Sequence, residues 1–209
     1  MEIVIDTHIL QSRLLVARFI TLPLQNAHQA QHQAVEMLIN HLYPDTHGKY
    51  EHLPSGAPYL PAHPEVYISI THTRGFAAIA VNADTHIGVD IEQVSQRVVR
   101  ILPRVAHPTE IAALNLSENQ AEAYTTAWTA KEAIFKAIPD GGIDFANHIL
   151  IKFPTPLEYQ PADSPTPISY TAKENRTPRT LTYNVVSIPL INDTHQITHI
   201  LTLTTPIAE

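Results

Sequence analysis

Residues 117–138, "SENQAEAYTTAWTAKEAIFKAI", carry the strongest helical pattern in the chain, with strand-like segments on both sides. The pattern is bounded by a capping pair, Ser117 and Gln120, and by Pro139 with Gly141-Gly142. A helix of that length must bury one face, and the chain supplies mostly β partners for it. "EIVIDTHIL", "RLLVARFITL", "VYISI", "FAAIAVN" and "IGVDIE" come before it, while "HILIKF", "PISYTA", "TLTYNVVSI" and "ITHILTLTT" follow. A second long helix is predicted over 26–43 from the spacing of Ala27, Ala30, Ala34, Val35, Leu38 and Leu42. Shorter helical segments are expected over "QRVVRILPRV" and over "HPTEIAALN", whose His-Pro-Thr-Glu opening suits a helix start. The fold class is therefore α+β. A division near residue 88 gives two parts of similar size, 1–88 and 89–209, each with strands and a long helix, and no sequence repeat links them.

Composition narrows the function. The 209 residues contain no cysteine, which removes disulfides, thiolate nucleophiles and Cys-ligated zinc. A formal net charge of −7 argues against general nucleic-acid binding. No run approaches the roughly 18 apolar residues of a membrane span, and "MEIVIDTHIL" lacks the basic start of a signal peptide. A cytoplasmic setting, with no membrane and no nucleic-acid partner, is the expectation. The chain has 13 histidines, and Asp-Thr-His occurs with its imidazole at His8, His47, His86 and His195. The flanks of the four copies differ and there is no His-Glu-x-x-His, so turn chemistry is the simpler account.

Three short stretches carry chemistry. In "GVDIE" (88–92), strand alternation points Asp90 and Glu92 one way and Val89 and Ile91 the other. Alone, such a pair reads as a solvated face. In "WTAKEAIFKA" (128–137), Glu132 and Lys136 share a helix face with Trp128 nearby and Lys131 flanking. Alone, that reads as an ion pair beside a core tryptophan. "SITHTRG" places Thr71, His72 and Arg74 in a connection between strands, with donors suited to an anion. Taken together, Asp90, Glu92 and Glu132 suit a hard divalent cation that keeps phosphate and water as further ligands. Lys136 would then offset charge on phosphate oxygens.

The order of "ITHT", "GVDIE" and "WTAKEAIFKA", followed by "GIDF" at 142–145, resembles the 4′-phosphopantetheinyl transferases, in particular their larger monomeric class. The resemblance covers most of residues 50–145. It implies a pseudo-dimer of two similar α/β-sandwich-like halves, each an antiparallel sheet with a long helix, and an active site at their interface. The first half would supply coenzyme A phosphate contacts, the second the metal site and catalytic helix. The implied reaction moves the 4′-phosphopantetheine arm of coenzyme A to a serine of an acyl or peptidyl carrier protein and releases adenosine 3′,5′-bisphosphate. The resemblance makes Asp90, Glu92 and Glu132 ligands of Mg²⁺ or Mn²⁺, Glu132 also the general base, and Lys136 a phosphate contact that helps the leaving group. Thr71 and His72 align with residues that hold the 3′-phosphate, and Arg74 and Lys131 are further candidates for coenzyme A binding.

Two departures stand out. Ala57 in "SGAPYL" occupies the place of a phosphate-binding lysine, leaving Lys49, Arg74 or another cation to compensate, and "RVAHPTE" lacks the usual aromatics. Arg97, Arg100 and Arg104, spaced by three and four, are expected to form a basic face for an acidic carrier. Two other readings stay open: a weakened relative that binds without efficient transfer, and a Mg²⁺-dependent nucleotide or diphosphate hydrolase, although the chain has no Gly-x-x-x-x-Gly-Lys.

Overall fold

The computed structural model describes residues 1–20, 26–139, 142–159, 166–176 and 180–207. The chain opens with β1 (Glu2–Ile9), β2 (Ser12–Arg18) and α1 (Ala27–Leu42), then the short β3 (Glu51–His52) and β4 (Pro58–Tyr59). The hairpin β5 (Tyr67–Thr73) and β6 (Phe76–Asn82) follows, and then β7 (Gly88–Gln93). The helical middle comprises α2 (Gln96–Ile101), α3 (Pro108–Leu114) and α4 (Gln120–Ala137). The chain returns to strands with β8 (Ile149–Lys152), β9 (Ile168–Glu174), β10 (Leu181–Ile191) and β11 (Ile197–Pro206). It is an α+β fold, as the alternation of patterns led us to expect.

Two antiparallel sheets organise these elements. The first runs β1-β2-β6-β5 and the second β7-β11-β10-β9-β8. Strand alternation explains the layering. Leu15 and Ala17 of β2 join Ala34 and Leu38 of α1 in one core cluster, whereas Leu14 and Val16 turn to Val89, Ile91, Leu201 and Leu203 in another. In the second sheet, Tyr170, Ala172, Tyr183 and Val185 pack with Ala127, Ala130 and Ile134 of α4. The sheets therefore stack face to face, with α1 covering one outer surface and α4 the other. Among the described residues no helix is long and apolar enough to cross a membrane.

Where the two sheets meet, β7 is an edge strand, and its outward N–H groups find hydroxyls instead of a backbone ladder. Val89 N donates to Ser69 Oγ (3.0 Å) and Ile91 N to Thr71 Oγ1 (3.3 Å). An exposed row of strand amides would otherwise invite pairing with another chain. On its other face β7 meets α4 at very short range. A Cβ on Gly88 would lie 1.8 Å from the Ala133 carbonyl oxygen, so glycine is required there.

Two sequence expectations need correction. Ser117 does not cap α4; the cap is Asn119, whose side chain accepts from Glu122 N, while Ser117 Oγ accepts from Leu157 N (3.1 Å). The basic segment is also not one α-helix. After Ile101 it tightens into a 3₁₀ turn, Leu102–Arg104, because Pro103 has no N–H to continue the α pattern. Arg97, Arg100 and Arg104 are all exposed.

Candidate active site

The site is built where β7, β5 and α4 converge. The pleat directs Gly88, Asp90 and Glu92 toward α4 while Val89 and Ile91 enter the inter-sheet core. Asp90 is buried and held on one oxygen. Its Oδ1 accepts from Lys136 Nζ (2.8 Å) and Thr71 Oγ1 (3.1 Å). Its other oxygen, Oδ2, is buried and has no hydrogen-bond partner among the described residues. An acceptor without a donor in a desolvated position is costly, and it is where a cation or a proton would sit.

Glu92 and Glu132 are half-buried beside it. Burial raises the proton affinity of Glu92, the Asp90 charge adds to this, and the Trp128 indole N–H, Lys136 and Arg97 oppose it. For Glu132 burial is again the largest cause, followed by the Asp90 charge; Lys136 counters it and Glu92 reinforces it. The Asp90 charge thus raises the proton affinity of both glutamates, and Glu92 adds to it at Glu132. Lys136 donates twice, to Asp90 Oδ1 and to the Val89 carbonyl (3.1 Å), which leaves one of its three N–H groups available.

The donor set fits a hard divalent cation: three carboxylates, one with an orphaned oxygen, within mutual electrostatic reach. Among the described residues, however, no three acidic or imidazole side chains are drawn together closely enough to chelate an ion as they stand. Uncompensated carboxylates repel, and one of them, Asp90, is occupied by the Lys136 ammonium. The residues fit the ion in type, and the chelating arrangement itself is not formed.

A cavity of about 530 Å³ opens from this cluster. Its walls include Ser69, Thr71, His72, Asp90 and Lys136, with Tyr50, His52, Ala57, Ile68 and Phe135. That size suits a small-molecule arm. A second cavity, about 660 Å³, shares Tyr50 and His52 with it and adds His32, Lys49 and Glu36. His72 lies on the wall; partial desolvation of its ring lowers its proton affinity most, followed by His32, Lys136 and His28.

The structure thus brings Thr71, His72, Asp90, Glu92, Glu132 and Lys136 together, but not Arg74 or Lys131. Arg74 lies exposed at the tip of the β5–β6 hairpin and lines neither cavity. Lys131 is fully buried and bonded to Glu110 Oε2 (2.9 Å) on the side of α4 away from the site. One residue along a helix turns a side chain by about 100°, which separates Lys131 from Glu132 despite their adjacency. Thr71 also departs from expectation, because its hydroxyl is committed to Asp90 and Ile91 and serves to fix the site's floor. Sequence reading missed Ser69, Tyr50, His52 and the obligatory contact of Gly88. Only Gly88 left a signal, as the one residue in "GVDIE" without a side chain.

Fold and site together define an α+β protein with an acidic cluster beside a cavity whose wall includes Asp90 and Lys136. Residues 86–182, just under half of the chain, match the family model of the 4′-phosphopantetheinyl transferase superfamily. It is also similar to a 4′-phosphopantetheinyl transferase of Bacillus subtilis, 31% identical over 88 residues. That match covers 41% of this chain and spans 39% of the relative's length.

Proposed function

We propose that this protein transfers the 4′-phosphopantetheine arm of coenzyme A to a serine of an acyl or peptidyl carrier protein, as a holo-carrier synthase of the larger, monomeric class. The observation that carries the reading is the convergence of Asp90, Glu92, Glu132 and Lys136, three acids and a lysine inside the family-matched stretch, with Asp90 and Lys136 on the cavity wall. The duplicated architecture belongs to the same reading, with residues 1–88 supplying phosphate contacts and 89–209 the catalytic helix. The presence of a larger antiparallel sheet of four or five strands and one long helix on each side of this division supports it.

Asp90, through its free Oδ2, together with Glu92 and Glu132 would hold Mg²⁺ or Mn²⁺. The ion's chemistry is to offset charge on the coenzyme A pyrophosphate. The remaining steps fall to the chain. His72 and the imidazoles beyond it receive the phosphate on the ribose, and His52 and Lys49 stand where Ala57 offers no cation. Glu132, held by burial at a raised proton affinity, takes the proton of the carrier serine as its oxygen attacks the phosphorus on the pantetheine side. The bond from that phosphorus to the bridging oxygen breaks, and adenosine 3′,5′-bisphosphate departs with the electron pair. The remaining donor of Lys136 lies available for the charge that develops there. The carrier approaches across Arg97, Arg100 and Arg104; Arg97 is near enough to act on Glu92, so this exposed stripe adjoins the acidic cluster.

The test is intact-protein mass spectrometry of apo carriers of fatty-acid, polyketide and nonribosomal-peptide type, incubated with this protein, coenzyme A and Mg²⁺. A phosphopantetheine-sized gain on a carrier, abolished in Asp90→Ala, is the expected result. Coenzyme A bound without any gain on any carrier would replace the transferase by a binding protein. Cleavage of coenzyme A without a carrier would replace it by a hydrolase.

A further inference from the structure

One thoroughly satisfied buried charge lies outside the site. Lys131 is 0% exposed, and its ammonium spends all three donors: on Glu110 Oε2 (2.9 Å), the Phe145 carbonyl (2.7 Å) and the Ile149 carbonyl (2.7 Å). Glu110 is equally committed. Its Oε1 accepts from Ile151 N (2.8 Å) and its Oε2 from His107 N (2.8 Å), closing the capping box of α3. One ion pair therefore ties α4 to α3, to the start of β8 and to the loop before it.

Stability alone is a poor account of this pair. An apolar pair of the same shape is often as stable as a buried ion pair, because burial costs both charges their hydration. Directionality is what an apolar pair lacks. Three acceptors fixed in space accept only one orientation of the ammonium, whereas a Leu or Met tolerates rotation of its helix. The pair stands one residue before Glu132 and five before Lys136. A helical side chain reaches about 5–6 Å from the axis, so a 10° rotation of α4 displaces a carboxylate by about 1 Å.

We propose that Lys131 and Glu110 are positioning residues: they lock the rotation of α4 about its axis from behind, and so set Glu132, Trp128 and Lys136 against Asp90 and Glu92 in front. The catalytic part of this inference rests on the transferase reading; the lock itself does not. Trp128 supplies the independent gauge. It is the single tryptophan of the chain, it sits on α4, and its indole lies near enough to Glu92 on β7 to lower that carboxylate's proton affinity. Any rotation of α4 changes that proximity.

The experiment labels Trp128 as 5-fluorotryptophan and compares the wild type with Lys131→Met/Glu110→Gln, which removes both charges together and strands neither. Three quantities are read: the ¹⁹F resonance, binding of Mn²⁺ alone by electron paramagnetic resonance, and kcat against KM for transfer. The double variant is expected to remain folded, to shift or broaden the ¹⁹F line, and to bind Mn²⁺ about tenfold or more weakly. Its kcat is expected to fall by about 100-fold, the usual consequence of a 1 Å misplacement, with little change in KM for coenzyme A. A folded double variant with the wild-type ¹⁹F line overturns the lock, whatever its activity. If the ¹⁹F line moves but the wild type transfers nothing, the lock stands and the transferase reading falls. Should the double variant not fold, Lys131→Arg keeps the charge but not the three-acceptor geometry, and must show the same shift; an unmoved line there overturns the proposal.

Discussion

Gly88→Ala is the sharpest single test of how the site is assembled, since it adds one methyl group and alters no charge. The added Cβ would sit 1.8 Å from the Ala133 carbonyl oxygen, 2.7 Å from its carbonyl carbon and 3.1 Å from Ala137 N. All three are backbone atoms of α4, so no side chain can swing aside. Ordinary contact begins near 3.4 Å, and the helix must therefore retreat from β7 by about 1.6 Å at this point. Gly88 does not have a left-handed φ, so alanine brings no backbone strain of its own and the effect isolates the contact. Overpacking of this kind costs about 1–3 kcal/mol, which for a domain of this size lowers Tm by roughly 2–12 °C.

The larger effect falls on the site. α4 carries Glu132 and Lys136, whose bond to Asp90 Oδ1 is 2.8 Å long, and a retreat of that size breaks it. Transfer is expected to fall by about 100-fold or more, with Mn²⁺ binding weakened alongside. Differential scanning fluorimetry, Mn²⁺ titration and the carrier mass assay together read these effects. A Gly88→Ala protein with wild-type Tm, metal affinity and turnover would refute the view that this close approach sets the distance between β7 and α4.

Three further perturbations separate charge from packing. Glu132 in the folded protein holds its proton above the ordinary 4.5, mainly through burial, so its contribution to stability is present below that value and lost as pH rises through the raised range. Without metal, Glu132→Gln should accordingly raise Tm at pH 7 while transfer falls by about 100-fold or more; a lower Tm would contradict it. His199 is buried against Phe76, and burial lowers its proton affinity below the ordinary 6.5, so the stability it preserves is present above pH 6.5 and lost as pH falls below it. His199→Gln should flatten the acid side of a urea-denaturation profile between about pH 6.5 and 5, and an unchanged slope would remove His199 from that account. Reversing Arg97 and Arg100 to Glu should raise KM for the carrier and leave coenzyme A affinity unchanged; unaltered carrier kinetics would discard the docking stripe.

The sequence was most legible where periodicity and chemistry coincide. Alternation in "GVDIE" separated Asp90 and Glu92 from Val89 and Ile91, and the helix spacing placed Glu132 beside Lys136; the fold keeps both assignments. The strands following α4 were recovered nearly to their ends, because their β-branched runs have no helical competitor. What failed was direction around a helix and capping at its start. Lys131 and Glu132 are neighbours in sequence and share charge character with the motif, yet one faces α3 and the other faces β7. Only the position of Glu110, 21 residues earlier, decides which way Lys131 turns. Ser117 likewise carried a valid capping pattern and lost it to Asn119, because the Leu157 amide claimed its hydroxyl from 40 residues away. Thr71 shows the same competition within the site itself. Its hydroxyl suits an anion by type, but β7 has edge amides and Asp90 has an oxygen to hold, and both demands are local and buried. A side chain's chemistry is thus readable from its type, but its employment depends on which unsatisfied group the fold brings nearest, and among the described residues Asp90 Oδ2 is a buried oxygen that none has satisfied.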